Sequence, residues 1–403
     1  MAEMSQVYGF AVPFGFPVFF TRDTWRPDNL AFVDTIRRHE PDRRHRALVV
    51  VDRNVAGAHP TLVGDIQEYF AAHDESLALA APPVIVAGGE TVKNDLSHTL
   101  FLLKDVNDFG IDRQSFIVVI GGGAVLDMAS FAAAIAHRGI RTVRFPTTVL
   151  AQADSGIAVK NGVNLFGKKN FMGTFVPPFA VINDSIFLES LEHRDKIGGV
   201  VEAVKVALLK DVMFYRRIEL AAPQIATGDL SVIIPLIQRS AELHLNHICG
   251  NGDPFELGSA RPLDFGHWAA HKLESITSHR LRHGEAVAIG IALDIEYSVR
   301  MGFLGRADAD RILTLLERMG LALWDDALTS HDSEGRFALL RGLQEFREHL
   351  GGTLHITQLQ GIGRGFEVNE MDESAVLASI EELRKRAARR RPRATDRARL
   401  GHR

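Results

Sequence analysis

The sequence predicts an α/β N-terminal domain followed by an all-α C-terminal domain. Three short apolar runs, Ala47–Val51, Pro83–Ala87 and Phe116–Ile120, each end in polar or glycine residues. Such runs suit strands buried on both faces of a parallel sheet, with the polar residues collected at one edge. A helical pattern from Val125 to Ala136 follows the third run. Beyond Asp184 the periodicity is helical throughout, which separates a second domain.

The first run leads into Asp52-Arg53-Asn54, the second into Gly88-Gly89-Glu90 with Lys93 close behind, and the third into Gly121-Gly122-Gly123. Alternating strands and helices of this kind place a ligand crevice at the strands' C-terminal edge, so the first half reads as a nucleotide-binding domain. The triple glycine permits a tight turn whose N–H groups face a phosphate at a helix start, and Asp127 is placed to accept from a ribose hydroxyl or an amide. It is not the Gly-x-Gly-x-x-Gly fingerprint, and an ordinary turn explains it equally well. Arg141–Phe145 reads as a further strand, leading to Pro146-Thr147-Thr148.

From Gln152 to Gly173 lysines, amides and glycines alternate with Ile157, Val159, Val163 and Phe171, which suggests a half-buried segment lining a site. Lysine and asparagine there suit a phosphate-bearing ligand. Helical segments are then expected at 189–210, with Glu202 and Lys205, at 234–247, at 286–299 and at 309–319, with a short hairpin near 354–358. His244 and His247 are candidate metal ligands, but a solvated helix face accounts for them better.

Arg261-Pro-Leu-Asp-Phe-Gly-His267-Trp-Ala-Ala-His271 and the later Leu281-Arg-His283-Gly-Glu285 concentrate histidines. With a helix from Trp268 onward, His267 and His271 fall one turn apart on the same side. With His283 and an acidic ligand from elsewhere they make a cation site; otherwise they are structural histidines. Glycine before His267 and after His283 favours the first reading, because it lets backbone approach a ligand.

The chain has 403 residues, enough for two domains or three at about 150 residues each. A formal charge of -4 gives no signal for nucleic acid or another polyanion. The single cysteine, Cys249, suits a reducing cytoplasm. The apolar start at 7–20 is interrupted by Pro13, Gly15 and Pro17 and does not read as a signal peptide, and no apolar run is long enough to span a membrane. The expected limits are 1–185 for the α/β domain, 186–383 for the helical domain and 384–403 for a basic, disordered tail.

Taken together these pieces resemble the sugar phosphate cyclase superfamily, of which 3-dehydroquinate synthase is a member. The resemblance rests on Gly-Gly-Gly-x-x-x-Asp at 121–127, Arg138-Gly139, Pro146-Thr-Thr148, Ala151-Gln-x-Asp154-Ser155, Lys160-x-Gly162-x-Asn164, Gly167-Lys-Lys169-Asn170, Glu202-x-x-Lys205, Gly266-His267 and His283-Gly-Glu285. It implies a Rossmann-like domain with NAD, contacted by Asp52, Glu90, Lys93, Gly122, Gly123, Asp127, Thr147, Thr148, Asp154, Lys160 and Lys169. It implies a divalent cation, Zn2+ or Co2+, held by Glu202, His267 and His283, an arrangement that leaves positions open for substrate hydroxyls.

Around the substrate and its phosphate the resemblance places Lys160, Asn170 and Arg138, the arginine reaching in from the partner of a homodimer. Lys205 and His271 match positions that assist proton transfers. The implied reaction oxidises the substrate transiently, eliminates phosphate, returns the hydride and closes a carbocycle by an intramolecular aldol step.

The pattern departs from the dehydroquinate-forming enzymes, which carry asparagine at the position of Asp264 and an arginine one residue upstream of Arg261, both holding a substrate carboxylate. Arg-Pro-Leu-Asp-Phe-Gly-His is instead similar to the branch that cyclises sedoheptulose 7-phosphate toward 2-epi-5-epi-valiolone, which carries proline at the position of His271. The combination is also similar to the cyclase-like proteins of ebo-type gene clusters. The family's C-terminal lysine has no clean match, Arg347 being the candidate substitute. The expected function is cyclisation of a C7 ketose phosphate, leaning to sedoheptulose 7-phosphate. The alternatives are dehydroquinate formation from 3-deoxy-arabino-heptulosonate 7-phosphate, a metal-dependent alcohol dehydrogenase, and a non-catalytic binding protein.

Overall fold

A computed structural model describes residues 8–166, 168–250, 255, 262–349 and 353–390. Its strands are β1 (Val18–Thr21), β2 (His45–Asp52), β3 (Leu77–Leu79), β4 (Val84–Val86), β5 (Phe116–Gly121), β6 (Arg141–Pro146), β7 (Lys160–Leu165), β8 (Lys168–Phe175), β9 (Ala180–Asp184), β10 (Ile356–Gly361) and β11 (Arg364–Val368). Its helices are α1 (Ala31–Arg37), α2 (Arg53–Ala58), α3 (Leu62–Ala72), α4 (Thr91–Asn94), α5 (Leu96–Asp108), α6 (Gly123–Ile135), α7 (His193–Lys210), α8 (Val212–Ala226), α9 (Leu230–Gly250), α10 (His267–Ile276), α11 (His283–Arg300), α12 (Arg306–Arg318), α13 (Arg341–His349) and α14 (Glu373–Arg390).

Two compact units result. The first holds the residues up to Pro146 and Ala158–Asp184; the second holds Thr147–Ile157 and everything from Ser185. The chain therefore enters the second unit at 147–157 and returns, where a single boundary at 185/186 was expected.

In the first unit a parallel sheet runs β1-β9-β6-β5-β2-β3, with β4 also paired to β2. Leu48–Val51 and Ile117–Ile120 are wholly buried, as strands covered on both faces require. Asp52 lies in register with Val86 and Gly121 with Pro146, so β2, β4, β5 and β6 end together and bring their polar termini to one edge. The segment read as lining a site contains the antiparallel hairpin β7–β8, apart from the main sheet.

The second unit is helical, with the hairpin β10–β11 as its small sheet. The expected disordered tail begins too early. α14 continues to Arg390, because Arg386 and Arg390 both pair with Glu317 on α12 and give the last turns a partner. Residues 391–403 of that tail, together with Gly167 and Arg261, lie outside the described residues. Among the described residues no helix is long and apolar enough to cross a membrane.

Candidate functional site

In the second unit two close helix contacts assemble the histidines. On α11 a Cβ at Gly284 would strike the carbonyl of Gly198 on α7, so these helices meet backbone to backbone. Glu202 lies one turn beyond Gly198 on the same face and is thereby brought to His283, the neighbour of Gly284. Glu285 completes the start of α11: its Oε2 accepts from the Arg282 N–H at 3.0 Å, and it pairs with Arg194 on α7.

The second contact sets His267. Gly266 adopts φ 78°, a left-handed conformation that glycine takes without strain, and a Cβ there would meet the Ile291 nitrogen of α11 at 2.6 Å. Asp294, also on α11 and fully buried, accepts from the Gly266 N–H and from Trp268 Nε1, both at 2.9 Å. The turn that presents His267 is thus clamped from beneath. The two glycines serve helix packing and a turn, a different reason from the ligand approach the sequence suggested.

Glu202, wholly buried, faces two imidazoles: His283 Nε2 at 3.4 Å and His267 Nε2 at 3.7 Å from its Oε1. Lys205 pairs with the same carboxylate and lies 3.5 Å from Asp154, while Asp154 lies 3.2 Å from His244 Nδ1. Burial opposes ionisation of Glu202, but Lys205 and the two histidines outweigh it and hold the group well below the usual carboxylate range. Burial likewise opposes the charge on Lys205, and Glu202, Asp154 and Asp264 together push its pKa up. His267 is lowered by burial and then by Lys205, which favours the neutral, ligating form. For His283 burial is overcome by Glu274 and Glu202, which push it up to about 10 in the absence of a cation.

A buried carboxylate whose oxygens make no well-formed hydrogen bond, opposed by two Nε2 atoms, is a donor set suited to a divalent cation. Glu202, His267 and His283 offer ligand atoms that lie within 4.8 Å of one another. The His271 ring stands 5.5 Å from that of His267 and 6.1 Å from that of His283. Asp264, half-buried in the 3-10 turn Pro262–Asp264, is near enough to raise the pKa of both Lys205 and His267.

Asp154, expected among the dinucleotide contacts, lies beside Lys205 and His244 in this cluster. It sits on a π-turn at Ala151–Ser155, in which the Gly156 N–H donates to the Ala151 carbonyl. Thr147 is buried, and Thr148 Oγ1 accepts from the Ala151 N–H at the start of the same turn. The reading of His244 as part of a solvated helix face is corrected: it is 6% exposed, held inward by Asp154. His247 is half-buried.

In the first unit the edge of the sheet carries the remaining residues. Gly122 caps α6 and Gly123 begins it, so bare backbone opens a 13-residue helix, a suitable seat for a pyrophosphate. Asp52 caps α2 by accepting from the Asn54 N–H, and burial raises its pKa. Lys93, buried, donates to Asp127 at 2.6 Å and to Asn170 Oδ1 at 2.5 Å, bringing three expected site residues together. Burial pushes the Asp127 pKa up against the pull of Lys93.

Asn170 has a left-handed backbone, φ 52°, and its N–H donates to Asn164, whose amide in turn reaches Glu90 and Asn94. The hairpin is thereby tied to α4. Lys160 is exposed and Lys169 half-buried on the same hairpin, and Arg138 is exposed in a left-handed turn after α6.

Sequence reasoning passed over Glu274 and Asp294, and gave Asn164 no role beyond its place in the motif Lys160-x-Gly162-x-Asn164. Glu274 follows His271 by three residues on α10, a spacing that puts them side by side. Asp294 interrupts an otherwise apolar run on α11, itself a signal of a buried polar clamp.

The model of the 3-dehydroquinate synthase N-terminal region matches residues 83–197, and that of the C-terminal region matches 199–339. A 3-dehydroquinate synthase of Ruegeria pomeroyi is 33% identical over 344 residues, covering 84% of this chain and 89% of the relative. Among solved structures, a 2-epi-5-epi-valiolone synthase of Streptomyces hygroscopicus subsp. jinggangensis with NAD+ and Zn2+ bound superposes with a TM-score of 0.82 at 24% identity. It covers 94% of this chain and 100% of that one. A 2-deoxy-scyllo-inosose synthase complexed with carbaglucose-6-phosphate, NAD+ and Co2+ gives 0.73 at 23% identity over 91% of this chain and 96% of that one. The two matched regions together span more than half of the sequence, and the chain belongs to the 3-dehydroquinate synthase family of sugar phosphate cyclases.

Proposed function

We propose that this cyclase is NAD- and divalent-cation-dependent and that its substrate is sedoheptulose 7-phosphate. The observation that carries the substrate choice is Asp264, whose charge acts on Lys205 and His267. A carboxylate already near the cluster disfavours a substrate that brings another, by about 1 kcal/mol or more at short range in a partly screened site. Sedoheptulose 7-phosphate brings none.

Glu202, His267 and His283 would hold Zn2+ or Co2+, and Asp52, Glu90, Lys93, Gly122, Gly123, Asp127, Thr147, Thr148, Lys160 and Lys169 would contact NAD. Asp154 serves Lys205 as well as the dinucleotide. When bound, NAD supplies a reversible hydride acceptor and the cation a Lewis acid for a substrate hydroxyl. Lys205, kept cationic by Glu202 and Asp154, offers a fixed positive charge where negative charge develops on substrate oxygen. His271 moves protons beside it. Lys160, Asn170 and Arg138 receive the phosphate, the arginine from a second copy of the chain in a homodimer. The net reaction releases inorganic phosphate and closes a carbocycle without change of oxidation state. A cytoplasmic setting keeps Cys249 reduced.

The relatives named 3-dehydroquinate synthase favour a second reading, in which the substrate is 3-deoxy-arabino-heptulosonate 7-phosphate. Incubation of the purified protein with each sugar phosphate, reading phosphate release, NADH and the mass of the product, separates the two. Turnover of sedoheptulose 7-phosphate with phosphate release and no accumulated NADH is the expected result. Turnover of the carboxylated sugar alone would replace the first reading with the second. Stoichiometric NADH without phosphate would mark a dehydrogenase, and binding without turnover a non-catalytic protein.

A further inference from the structure

We propose that Glu274 is a positioning residue for His283, fixing the tautomer that leaves Nε2 free to bind a cation; this rests on reading Glu202, His267 and His283 as the cation site. Glu274 is 4% exposed on α10, and its Oε2 lies 3.4 Å from Nδ1 of His283. The other ring nitrogen, Nε2, lies 3.4 Å from Oε1 of Glu202. His283 therefore stands between two buried carboxylates with one proton to place in its neutral form. A proton on Nε2 would satisfy Glu202 and block the ligand atom. A proton on Nδ1 satisfies Glu274 and leaves the Nε2 lone pair facing the site.

His267 solves the same problem differently. Its Nδ1 lies 3.1 Å from the Phe265 carbonyl, a neutral acceptor, with Nε2 again toward Glu202. The two imidazoles are thus oriented alike but supported unequally, and His283 alone has a carboxylate behind it. Such outer carboxylates set ring orientation and raise ligand basicity. Glu274 follows His267 by seven residues and His271 by three, so the helix that presents His267 also carries the support for His283.

Glu274 also offers a ligand atom within 4.8 Å of ligand atoms on His271 and His283, which poses the rival role of ligand to a second ion. Zinc titration of the metal-free full-length protein against a competing chelator decides between them. Wild type is expected to bind one zinc per chain and Glu202→Ala none in the same range. Glu274→Gln, which keeps the shape and removes the charge, is expected to bind one zinc roughly 10- to 100-fold more weakly.

Affinity of Glu274→Gln within twofold of wild type overturns the proposal, as does a second zinc in wild type that this variant loses. Failure of wild type to bind zinc overturns the cation-site reading itself, a distinguishable result. Independently of any variant, nitrogen-15 imidazole spectra of the zinc-loaded wild type are expected to show His283 bound through Nε2 with its proton on Nδ1. Binding through Nδ1 overturns the assignment.

Discussion

Gly284 lies directly against the carbonyl of Gly198, and this contact between α11 and α7 places His283 beside Glu202. The contact is asymmetric. A Cβ on Gly284 would overlap the Gly198 carbonyl, whereas a Cβ on Gly198 would stand 3.7 Å from the Gly284 Cα, an ordinary separation.

Gly284→Ala is therefore expected to push the helices apart, costing about 1–3 kcal/mol and weakening zinc binding. Gly198→Ala is expected to be neutral or to gain up to about 1 kcal/mol of helix propensity. Melting temperatures and zinc affinities of the two variants check this. Equal effects would show that the backbone contact does not set the site.

Glu202→Ala is expected to remove the bound metal and abolish turnover. It also leaves Lys205, 2% exposed, with its nearest counter-charge gone, a defect of about 3–5 kcal/mol for a broken buried pair. The metal content of purified protein and the thermal stability of the metal-free form read the two effects separately. Retained stoichiometric zinc with activity would take Glu202 out of the site.

These relationships show what the sequence disclosed and why. Runs such as Ala47–Val51 and Phe116–Ile120 are apolar because both sheet faces are covered, so the first unit could be read locally. β1 and β9 escaped because each is short and is fixed by partners distant in sequence, β1 by β9 and β9 by β1 and β6. The histidines announced a site, but Glu202 reached it only through resemblance, since its proximity to His283 depends on a helix crossing between distant segments. His244 was misjudged for the same reason: its inward partner, Asp154, comes from a far part of the chain.

Asp294 gives the second unit a pH dependence that a variant can isolate. Burial raises its pKa to about 7, against the opposing hydrogen bonds of Trp268, Gly266 and Gln358. The unfolded value is about 3.9, so between these limits the folded state binds the extra proton and stability falls as pH rises. Each unit of difference is worth about 1.4 kcal/mol, which makes the cost at pH 8 several kcal/mol. Asp294→Asn is expected to be less stable than wild type at pH 5, through one lost hydrogen bond, with the gap narrowing or reversing at pH 8. Melting temperatures of the metal-free proteins at the two pH values measure this. A gap that widens with pH would show that the folded state prefers Asp294 ionised.

Asp264→Asn tests the substrate assignment at one side chain. The change removes a negative charge near Lys205 and His267 while keeping the side chain's size, so the cation site and the 3-10 turn at Pro262–Asp264 are expected to survive. If the charge repels a substrate carboxylate by about 1 kcal/mol, removing it improves kcat/KM for the carboxylated heptulosonate phosphate relative to sedoheptulose 7-phosphate by roughly fivefold or more. The ratio of the two kcat/KM values, measured at one ionic strength, is the readout, because screening would otherwise change the repulsion as well. A general loss of activity on both sugars would instead place Asp264 in the chemistry common to them. An unchanged ratio with activity retained would remove Asp264 from the determinants of substrate choice.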